Sequence, residues 1–262
     1  MDSTLASSKP RTALIVGVAN DHSIAWGIAK HLKQAGYELA FTYQGDTLER
    51  RVRPLAESVD AKMILPLDLR NDDQIKDVFS TLGKAWTHLD AMVHAAAFAD
   101  KRDLEGRFLN TQREGFSLAM DVSAYSLIAL LRAGHDLLKS APQGASVLTL
   151  SYYGAEKVIP HYNVMGVAKA ALEAAVRYLA ADVGPEGIRV NAISAGPVRT
   201  LAAAGIKGFK SMMHLSEEKA PLRRNVSLDE IGTMARLLLS SEGAGITGQT
   251  IYVDSGYSIL GM

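Results

Sequence analysis

The chain of 262 residues contains no cysteine. It can therefore form neither a disulfide framework nor a metal site built from thiolates, and this composition fits a reducing compartment. The chain also has no excess of charge of one sign, because 28 Lys and Arg residues balance 28 Asp and Glu residues. A neutral chain gives no reason to expect nucleic acid or an anionic membrane as its main partner.

Hydrophobic signals for export or membrane insertion are also absent from the sequence. No apolar run reaches the ~20 residues that a membrane-spanning helix needs, and residues 1–10 lack the hydrophobic centre of a signal peptide. The seven histidines include no His-x3-His pair. We therefore expect a cytoplasmic protein that binds no metal, membrane or nucleic acid.

The sequence does contain a regular alternation of short apolar runs with longer amphipathic runs. The predicted strands are 13–16, 38–43, 63–67, 91–95, 146–150, 189–193 and 249–253, and the predicted helices include 23–35, 72–82, 116–138, 163–183 and 228–239. This order predicts an α/β fold, a single-domain Rossmann-like doubly wound parallel sheet with helices on both faces. We expect residues 1–262 to form one domain, in which the irregular segment 195–216 is a substrate-binding lid.

A glycine-containing motif, Gly17-x5-Ser23-x3-Gly27, follows the first predicted strand and opens the first predicted helix. Gly17 allows the backbone to turn sharply, and free N–H groups at the start of a helix can bind a pyrophosphate. The spacing departs from the G-x-G-x-x-G pattern of dinucleotide-binding folds. Taken alone, the motif is as consistent with a structural turn as with a cofactor site.

The second predicted strand ends at Gln44, where dinucleotide-binding folds often carry an acidic residue for the adenosine ribose or an arginine for a 2′-phosphate. Gln44 supplies no positive charge, and Arg50, Arg51 and Arg53 have the spacing of a solvated helix face. The sequence therefore favours NADH over NADPH. Asp68 follows the third strand, and its spacing leaves open whether it binds the adenine amino group or is an N-cap for the next turn.

Two tyrosines and a lysine follow the strand predicted at 146–150. Tyr162 and Lys169 are seven residues apart, which is close to two helical turns or ~10 Å of rise, so we expect them on nearly the same helix face. A phenol beside an ammonium group at a strand end is a proton donor suited to redox chemistry on a carbonyl or conjugated carbonyl. A lone tyrosine at a helix start is usually a packing residue, and it is the combination with Lys169 that favours catalysis.

Together these motifs resemble the enoyl-acyl-carrier-protein reductases of bacterial type II fatty-acid synthesis. The features that carry the resemblance are Tyr152, Tyr162-x6-Lys169, Gly17-x5-Ser23 and the run Asn-Ala-Ile-Ser-Ala-Gly-Pro-Val-Arg-Thr at 191–200. These enzymes form a divergent branch of the short-chain dehydrogenase/reductase superfamily, whose ordinary members space the pair as Tyr-x3-Lys. The resemblance extends from about residue 12 to residue 259.

The resemblance implies that NADH reduces the C2=C3 double bond of a trans-2-enoyl thioester carried by acyl carrier protein, and that the enzyme is a homotetramer. It implies catalytic roles for Tyr162 and Lys169, with Tyr152 beside the thioester. The implied cofactor-binding residues are Gly17, Ser23, Ile24, Gln44, Asp68, Leu69, Ala96, Lys169, Val198, Arg199, Thr200, Leu201 and Ala202. The implied substrate-binding residues are Ala99, Tyr152, Met165 and Phe209.

The sequence departs from the family pattern at two places. Residues 95–99 read Ala-Ala-Ala-Phe-Ala, where the family usually has Ser-Ile-Gly-Phe-Ala. We hypothesise that the methyl group of Ala97 reduces the room beside the nicotinamide and weakens biphenyl-ether inhibitors. Tyr153 replaces a usually apolar residue, but spacing favours Tyr152 as the site residue, and strand alternation sends Tyr153 to the opposite face.

Two other functions remain open on the sequence: a carbonyl reductase of the same superfamily and a non-catalytic dinucleotide sensor. A hydrolase is disfavoured because Ser194 lacks the G-x-S-x-G nucleophile elbow. His94, at a strand end, is expected to be a hydrogen-bonded structural group rather than an acid. Lys207 and Lys210 fit either a docking patch for an acidic carrier protein or a solvated face.

Overall fold

The computed structural model describes residues 10–201 and 208–261. In these residues seven strands form one parallel sheet with the order β3-β2-β1-β4-β5-β6-β7. The strands are β1 Thr12–Val16, β2 Glu38–Tyr43, β3 Met63–Pro66, β4 Ala91–His94, β5 Ala145–Ser151, β6 Ile188–Ala195 and β7 Thr250–Val253. The prediction of a doubly wound parallel sheet is confirmed.

Helices connect the strands and cover both faces of the sheet. They are α1 Ile24–Gln34, α2 Gly45–Ser58, α3 Asp72–Ala85, α4 Lys101–Leu104, α5 Arg113–Met120, α6 Ser126–Lys139, α7 Val164–Val183, α8 Phe209–Lys219 and α9 Leu228–Leu239. Local capping sets several of the boundaries. For example, α9 begins with a capping box, in which Ser227 and Glu230 exchange side-chain and backbone hydrogen bonds.

The hydrophobic core has two parts, one on each face of the sheet. Along β1, Ala13 and Ile15 belong to the part beneath α1, α2 and α9, whereas Leu14 and Val16 belong to the part beneath α3, α6 and α7. All four side chains are buried, because successive residues of a strand point to opposite faces. A strand that is apolar without alternation is typical of a sheet covered on both sides.

The helix predicted at 116–138 begins earlier and is not regular. It runs without a break as Arg113–Lys139 and contains a π-helical turn at Asp121–Tyr125 between α5 and α6. By length and composition alone this helix could cross a membrane, but 44% of its most apolar stretch is buried inside the protein. Core helices of folded domains meet the same criteria, so this is weak evidence for a membrane span.

The segment predicted to be irregular at 195–216 is more ordered than expected at both ends. Strand β6 continues through Ala195, and α8 occupies Phe209–Lys219. The Gly- and Ala-rich composition did not reveal this helix, which buries Ser216, half-buries Phe209, Met212 and Met213, and leaves Leu215 exposed. Ala202 and Lys207 lie outside the described residues.

The strand order places a topological switch point between β1 and β4. From β1 the chain moves outward to β2 and β3, then returns to β4 and continues outward in the other direction. Ligands of such sheets bind in the crevice outside the carboxyl ends of the strands at this point. The predicted motifs at Gly17, 95–99, Tyr152 and 195–201 all follow strand ends on this edge.

Candidate active site

A cavity of about 430 Å³ lies at the carboxyl ends of β1, β4, β5 and β6. It is lined mainly by apolar side chains. The polar side chains that line it are Ser23, Lys101, Ser151, Tyr152, Tyr162, Lys169 and Thr200. Twelve residues predicted to act in the site line it: Gly17, Ser23, Ile24, Ala99, Tyr152, Tyr162, Met165, Lys169, Val198, Thr200, Leu201 and Phe209. The structure therefore brings together the predicted cofactor loop, the tyrosine–lysine pair and the predicted substrate residues.

Gly17 forms the wall of this cavity between β1 and β4. Its φ angle is +103°, and a Cβ atom there would lie 2.5 Å from the carbonyl carbon of Ala95. Only glycine fits this turn, because any side chain would collide with backbone. The loop after β1 can therefore pack directly against the backbone at the end of β4. The space beside this loop remains open as part of the cavity.

Ser23 shapes the loop between Gly17 and α1. Its hydroxyl accepts hydrogen bonds from the N–H groups of Ala19 at 3.0 Å and Asn20 at 3.1 Å. Ser23 is the N-cap residue of α1, but its side chain makes no capping hydrogen bond to this helix. The N–H groups at the start of a helix have no partner within the helix. Ile24 and Ala25, which begin α1, line the cavity, so this helix end faces the space where an anion could bind.

The predicted adenosine residues form a polar cluster at the ends of β2 and β3. The Arg70 guanidinium donates to both oxygens of the Asp68 carboxylate, at 2.7 and 3.1 Å. This pairing, assisted by a hydrogen bond from Gln44, lowers the pKa of Asp68 to about 2. The Asp68 carboxylate also accepts a hydrogen bond from the backbone N–H of Arg70 at 3.0 Å, so it caps the turn after β3, as the second alternative expected, whereas Asn71 caps α3.

Three other residues assigned to the cofactor by resemblance are not among those that line the cavity in the described part of the chain. Leu69 is buried in the core beneath α3, and Ala96 packs half-buried against the same core. Arg199 is exposed. The side chains of Leu69 and Ala96 thus pack into the core, and that of Arg199 faces solvent.

Tyr152 and Tyr162 pack against each other inside the cavity. Their rings meet edge to face, with centroids 5.0 Å apart and an interplanar angle of 72°. Burial raises the pKa of both phenols above their ordinary value of 10.0. Both hydroxyls therefore keep their protons near neutral pH and can act as hydrogen-bond donors. In this structure the Tyr152 hydroxyl donates to Sδ of Met212 at 3.1 Å.

The backbone around Tyr162 is unusual. His161 and Asn163, on either side of it, have φ angles of +62° and +39°, a region that residues other than glycine rarely adopt. Gly154 leaves room for the ring, since a Cβ atom at this position would lie 2.4 Å from Cδ1 of Tyr162. Such strained backbone clusters at functional sites. The position of Tyr162 is thus set by residues on both sides of it and by a loop that follows β5.

Tyr153 faces away from this pair. Its ring packs against Tyr252 and Tyr257, with centroids 6.2 and 6.1 Å away. Tyr152, by contrast, contacts Tyr162 and lines the large cavity. The structure therefore places Tyr152, and not Tyr153, in the large cavity.

Lys169 lies on α7 and reaches the end of β5. Its ammonium donates to the carbonyl oxygen of Leu150 at 2.7 Å. Burial lowers the pKa of Lys169 from 10.5 to about 8, and the Coulombic effect of Glu173 opposes this shift. Glu173 is one turn further along α7 and accepts a hydrogen bond from the Ser151 hydroxyl at 2.5 Å. Lys169 is therefore a buried cation held by the Leu150 carbonyl and stabilised by the charge of Glu173, whose carboxylate is itself held by Ser151.

His94 is a structural residue, as the sequence predicted. Its side chain is fully buried, and its two ring nitrogens lie 2.7 Å from the Thr149 hydroxyl and 2.8 Å from the Ser126 hydroxyl. Burial, together with the nearby charge of Lys169, lowers its pKa to about 3. A neutral imidazole with two occupied nitrogens serves packing rather than proton transfer.

Ser123 was not identified from the sequence, although it supports the substrate side of the cavity. It lies in the π-helical turn, where its hydroxyl accepts from the N–H of Phe98 at 3.0 Å and donates to the Phe98 carbonyl oxygen at 3.1 Å. It thereby fixes the loop that carries Ala97 and Ala99. π-Helical turns often occur at functional sites, but helical periodicity in the sequence gave no signal for one here.

The switch-point cavity and its tyrosine–lysine pair define a dinucleotide-dependent reductase of the short-chain dehydrogenase/reductase class. Residues 17–258 match the family model described as enoyl-(acyl carrier protein) reductase. The chain belongs to this family.

Characterised relatives agree with this assignment over almost the whole chain. The enoyl-acyl-carrier-protein reductase (NADH) 1 of Rhizobium meliloti strain 1021 is 53% identical over 252 residues, which cover 96% of this chain and 92% of the relative. The enoyl-acyl-carrier-protein reductase (NADH) FabI of Bacillus cereus is 49% identical over 253 residues, covering 96% and 98% of the two chains.

Solved structures share the fold as well as the sequence. The crystal structure of the enoyl-acyl-carrier-protein reductase (NADH) of Aquifex aeolicus VF5 superimposes with a TM-score of 0.93 at 47% identity, covering 96% of this chain and 98% of that one. The enzyme of Anaplasma phagocytophilum, solved in complex with NAD, gives 0.92 at 50% identity, with coverage of 96% and 95%.

Proposed function

We propose that this protein reduces the C2=C3 double bond of trans-2-enoyl thioesters on acyl carrier protein with NADH, the last reductive step of fatty-acid elongation. The observation that carries the proposal is the convergence of Tyr152, Tyr162 and Lys169 with the Gly17 loop in one mainly apolar cavity. Apolar walls suit an acyl chain, and the few polar groups suit a carbonyl and a ribose.

The residues present fit a dinucleotide. Gly17 provides a backbone surface that a side chain would fill, the start of α1 faces the same space, and Lys169 is a hydrogen-bond donor within it. NADH, when bound, supplies the hydride for C3 of the substrate. Among the cofactor residues, Lys169 would bind the nicotinamide ribose, and Gln44 and Asp68 the adenosine end. Arg70, whose guanidinium is paired with Asp68, and neutral Gln44 favour NADH over NADPH.

Tyr162 is the residue to which we assign the donor at the thioester oxygen. Negative charge develops on that oxygen as C3 is reduced, and a fixed donor there is worth roughly 3–4 kcal/mol in comparable sites. Lys169 adds positive potential nearby. Tyr152 would lie beside the thioester once its hydroxyl leaves Met212. The α-carbon then receives a proton from solvent or a relay.

The acyl chain would lie between the loop after β4 and the lid. Ala99, Met165 and Phe209 line this part of the cavity, and we interpret residues from about 195 to 216 as a lid on a single domain spanning 1–262. Lys210 is exposed on α8, where it could contact an acidic carrier protein. Reversal of its charge should then weaken carrier-linked substrates more than coenzyme A thioesters, and equal loss for both would exclude that contact.

We also infer a cytoplasmic homotetramer with two-fold symmetries. Large apolar side chains remain exposed on the long helix Arg113–Lys139 and on α7, among them Phe116, Tyr125, Ile128, Val167 and Tyr178. The sheet covers only one side of each helix, so these residues are available for contacts between subunits. Light scattering coupled to gel filtration tests this inference, and a monomer would contradict it.

An absorbance assay tests the proposed reaction. The protein should consume NADH in the presence of crotonyl thioester, and more slowly with NADPH or with a panel of ketones. A preference for ketones would instead indicate a carbonyl reductase. NADH binding without turnover of any substrate would indicate a dinucleotide sensor, although a sensor has no need of the Tyr162–Lys169 pair.

A further inference from the structure

A second, much smaller cavity lies between the lid helix α8 and the carboxyl end of β6. Its volume is about 20 Å³, and it adjoins the large cavity, since both are lined by Tyr152, Met212 and residues 195–197. The other residues that line it include Ser194 of β6 and Ser216 of α8. None of the roles proposed above uses this space.

Two buried hydroxyl groups line this cavity without a partner. Ser194 is 1% exposed and Ser216 is 3% exposed, and neither Oγ atom has a hydrogen-bond partner among the described residues. Buried hydroxyls are nearly always hydrogen-bonded, because leaving one unpaired carries its full desolvation penalty. Two unpaired hydroxyls on the same small cavity therefore call for a common partner.

We propose that this cavity is a binding site for one internal water molecule, which bridges the Ser194 and Ser216 hydroxyls. A single water needs a cavity of at least ~10–15 Å³ and two to four polar partners. The observed volume is sufficient for one molecule and too small for a larger ligand. The two serines supply the minimum number of partners, and water can act as donor or acceptor to each.

The water would attach the lid helix to the sheet beside Tyr152. Met212 and Ser216 are one turn apart on the same face of α8. Met212 Sδ accepts the hydrogen bond from Tyr152, which is a weak direct contact between this face of α8 and the residue that follows β5. The bridging water would add a contact between Ser216 on the same face and Ser194 of β6. Ser194 is a rigid anchor, since its strand pairs with β5 and β7 on both sides.

A double-mutant cycle on thermal stability tests the bridge. Removing a hydroxyl that is truly unpaired should raise the melting temperature, because a desolvation penalty disappears. Removing one that holds a water should lower it. We expect Ser194→Ala and Ser216→Ala each to lower Tm by about 2–4 °C, and the double variant to fall no further than the larger single effect, since either change breaks the bridge.

Ser211→Ala is the matched control, because Ser211 lies on the same helix but is exposed. It corrects for the higher helix propensity of alanine. Single variants that are as stable as this control or more stable would overturn the proposal, as would losses that simply add in the double variant. The melting temperatures of the single and double variants are measured without substrate, so a failed reductase assay would not affect this test.

A high-resolution crystal structure of the unaltered protein gives a second test that does not depend on the variants folding. We expect density for one water within hydrogen-bonding distance of both Oγ atoms. A dry cavity, or a water bonded to neither serine, would overturn the proposal.

Discussion

The ring of Tyr152 stands edge-on to the ring of Tyr162, with centroids 5.0 Å apart. Edge-to-face pairs are favourable because the positive edge of one ring meets the negative face of the other. This contact fixes two phenols that lie ten residues apart in sequence against each other in one cavity. Their hydroxyl groups can then address one substrate carbonyl from a defined position, and the following predictions depend on that geometry.

Replacing Tyr162 with phenylalanine should lower kcat by about 10²–10³-fold while leaving the Kd for NADH nearly unchanged. The ring contact with Tyr152 is kept, and only the donor to the developing oxyanion is removed. Stopped-flow turnover and fluorescence titration of NADH measure the two effects. Tyr178→Phe on α7, where the side chain is 78% exposed, is the control; it keeps the ring that the inferred subunit contact would use, and it should behave as the native enzyme. Native turnover in Tyr162→Phe would remove this residue from the mechanism.

Gly154→Ala should displace Tyr162 and lower kcat by about 10²-fold, the effect of moving a catalytic group by ~1 Å. The added Cβ would meet the tyrosine ring at 2.4 Å, and the buried ring cannot move outward freely. Gly184→Ala is the matched control at the far end of α7. Gly184 has helical backbone angles and no atom within 4 Å of the added Cβ. Equal kcat values for the two variants would contradict this account.

The KM for NADH should rise as pH increases through about 8. The pKa of Lys169 is about 8 in the folded protein, below its ordinary 10.5, so the ammonium form is present below that pH and is lost above it. Burial raises the pKa of both phenols, which leaves Lys169 as the group that titrates on the alkaline side. A pH profile of kcat/KM for NADH measures this limb.

Glu173→Gln should move the alkaline limb to lower pH. The Coulombic effect of Glu173 raises the pKa of Lys169, so removing its charge lets burial lower that pKa further. Glu156 and Arg177 also act on Glu173, and both are retained in the variant. Asp182→Asn, an exposed change on the same helix, should leave the limb in place. An unshifted limb in Glu173→Gln would show that this carboxyl group does not influence the lysine.

Ala97→Gly should strengthen binding of biphenyl-ether inhibitors by about tenfold, which corresponds to ~1.4 kcal/mol and lies within the usual cost of an extra methyl group in a filled site. Ala97 lines the large cavity. Equal inhibition constants for the native protein and Ala97→Gly would refute the hypothesis.

Much of the fold and part of the site were predictable because the relevant signals are local. The parallel strands follow from apolar runs of the right length, and Gly17 follows from its place between a strand and a helix. Tyr152 lines the large cavity and Tyr153 does not, but both follow the end of β5 at Ser151, so strand alternation does not account for their orientations. Resemblance to a known family then suggested roles for residues whose function the pattern alone left ambiguous, such as Tyr162 and Lys169.

The remaining features depend on contacts between residues that are distant in sequence. Examples are the hydrogen bond between Gln44 and Asp68, the contact of Ser123 with Phe98 through the π-helical turn, and the contact of helix α8 with Tyr152. The same is true of Ser194 and Ser216, which meet at one cavity only when the lid helix lies on the sheet. The sequence by itself determined which segments become strands and helices and where the cofactor loop lies. Tertiary structure decided which polar groups are buried together, because burial and its effect on pKa arise only when separate segments exclude water from a common space.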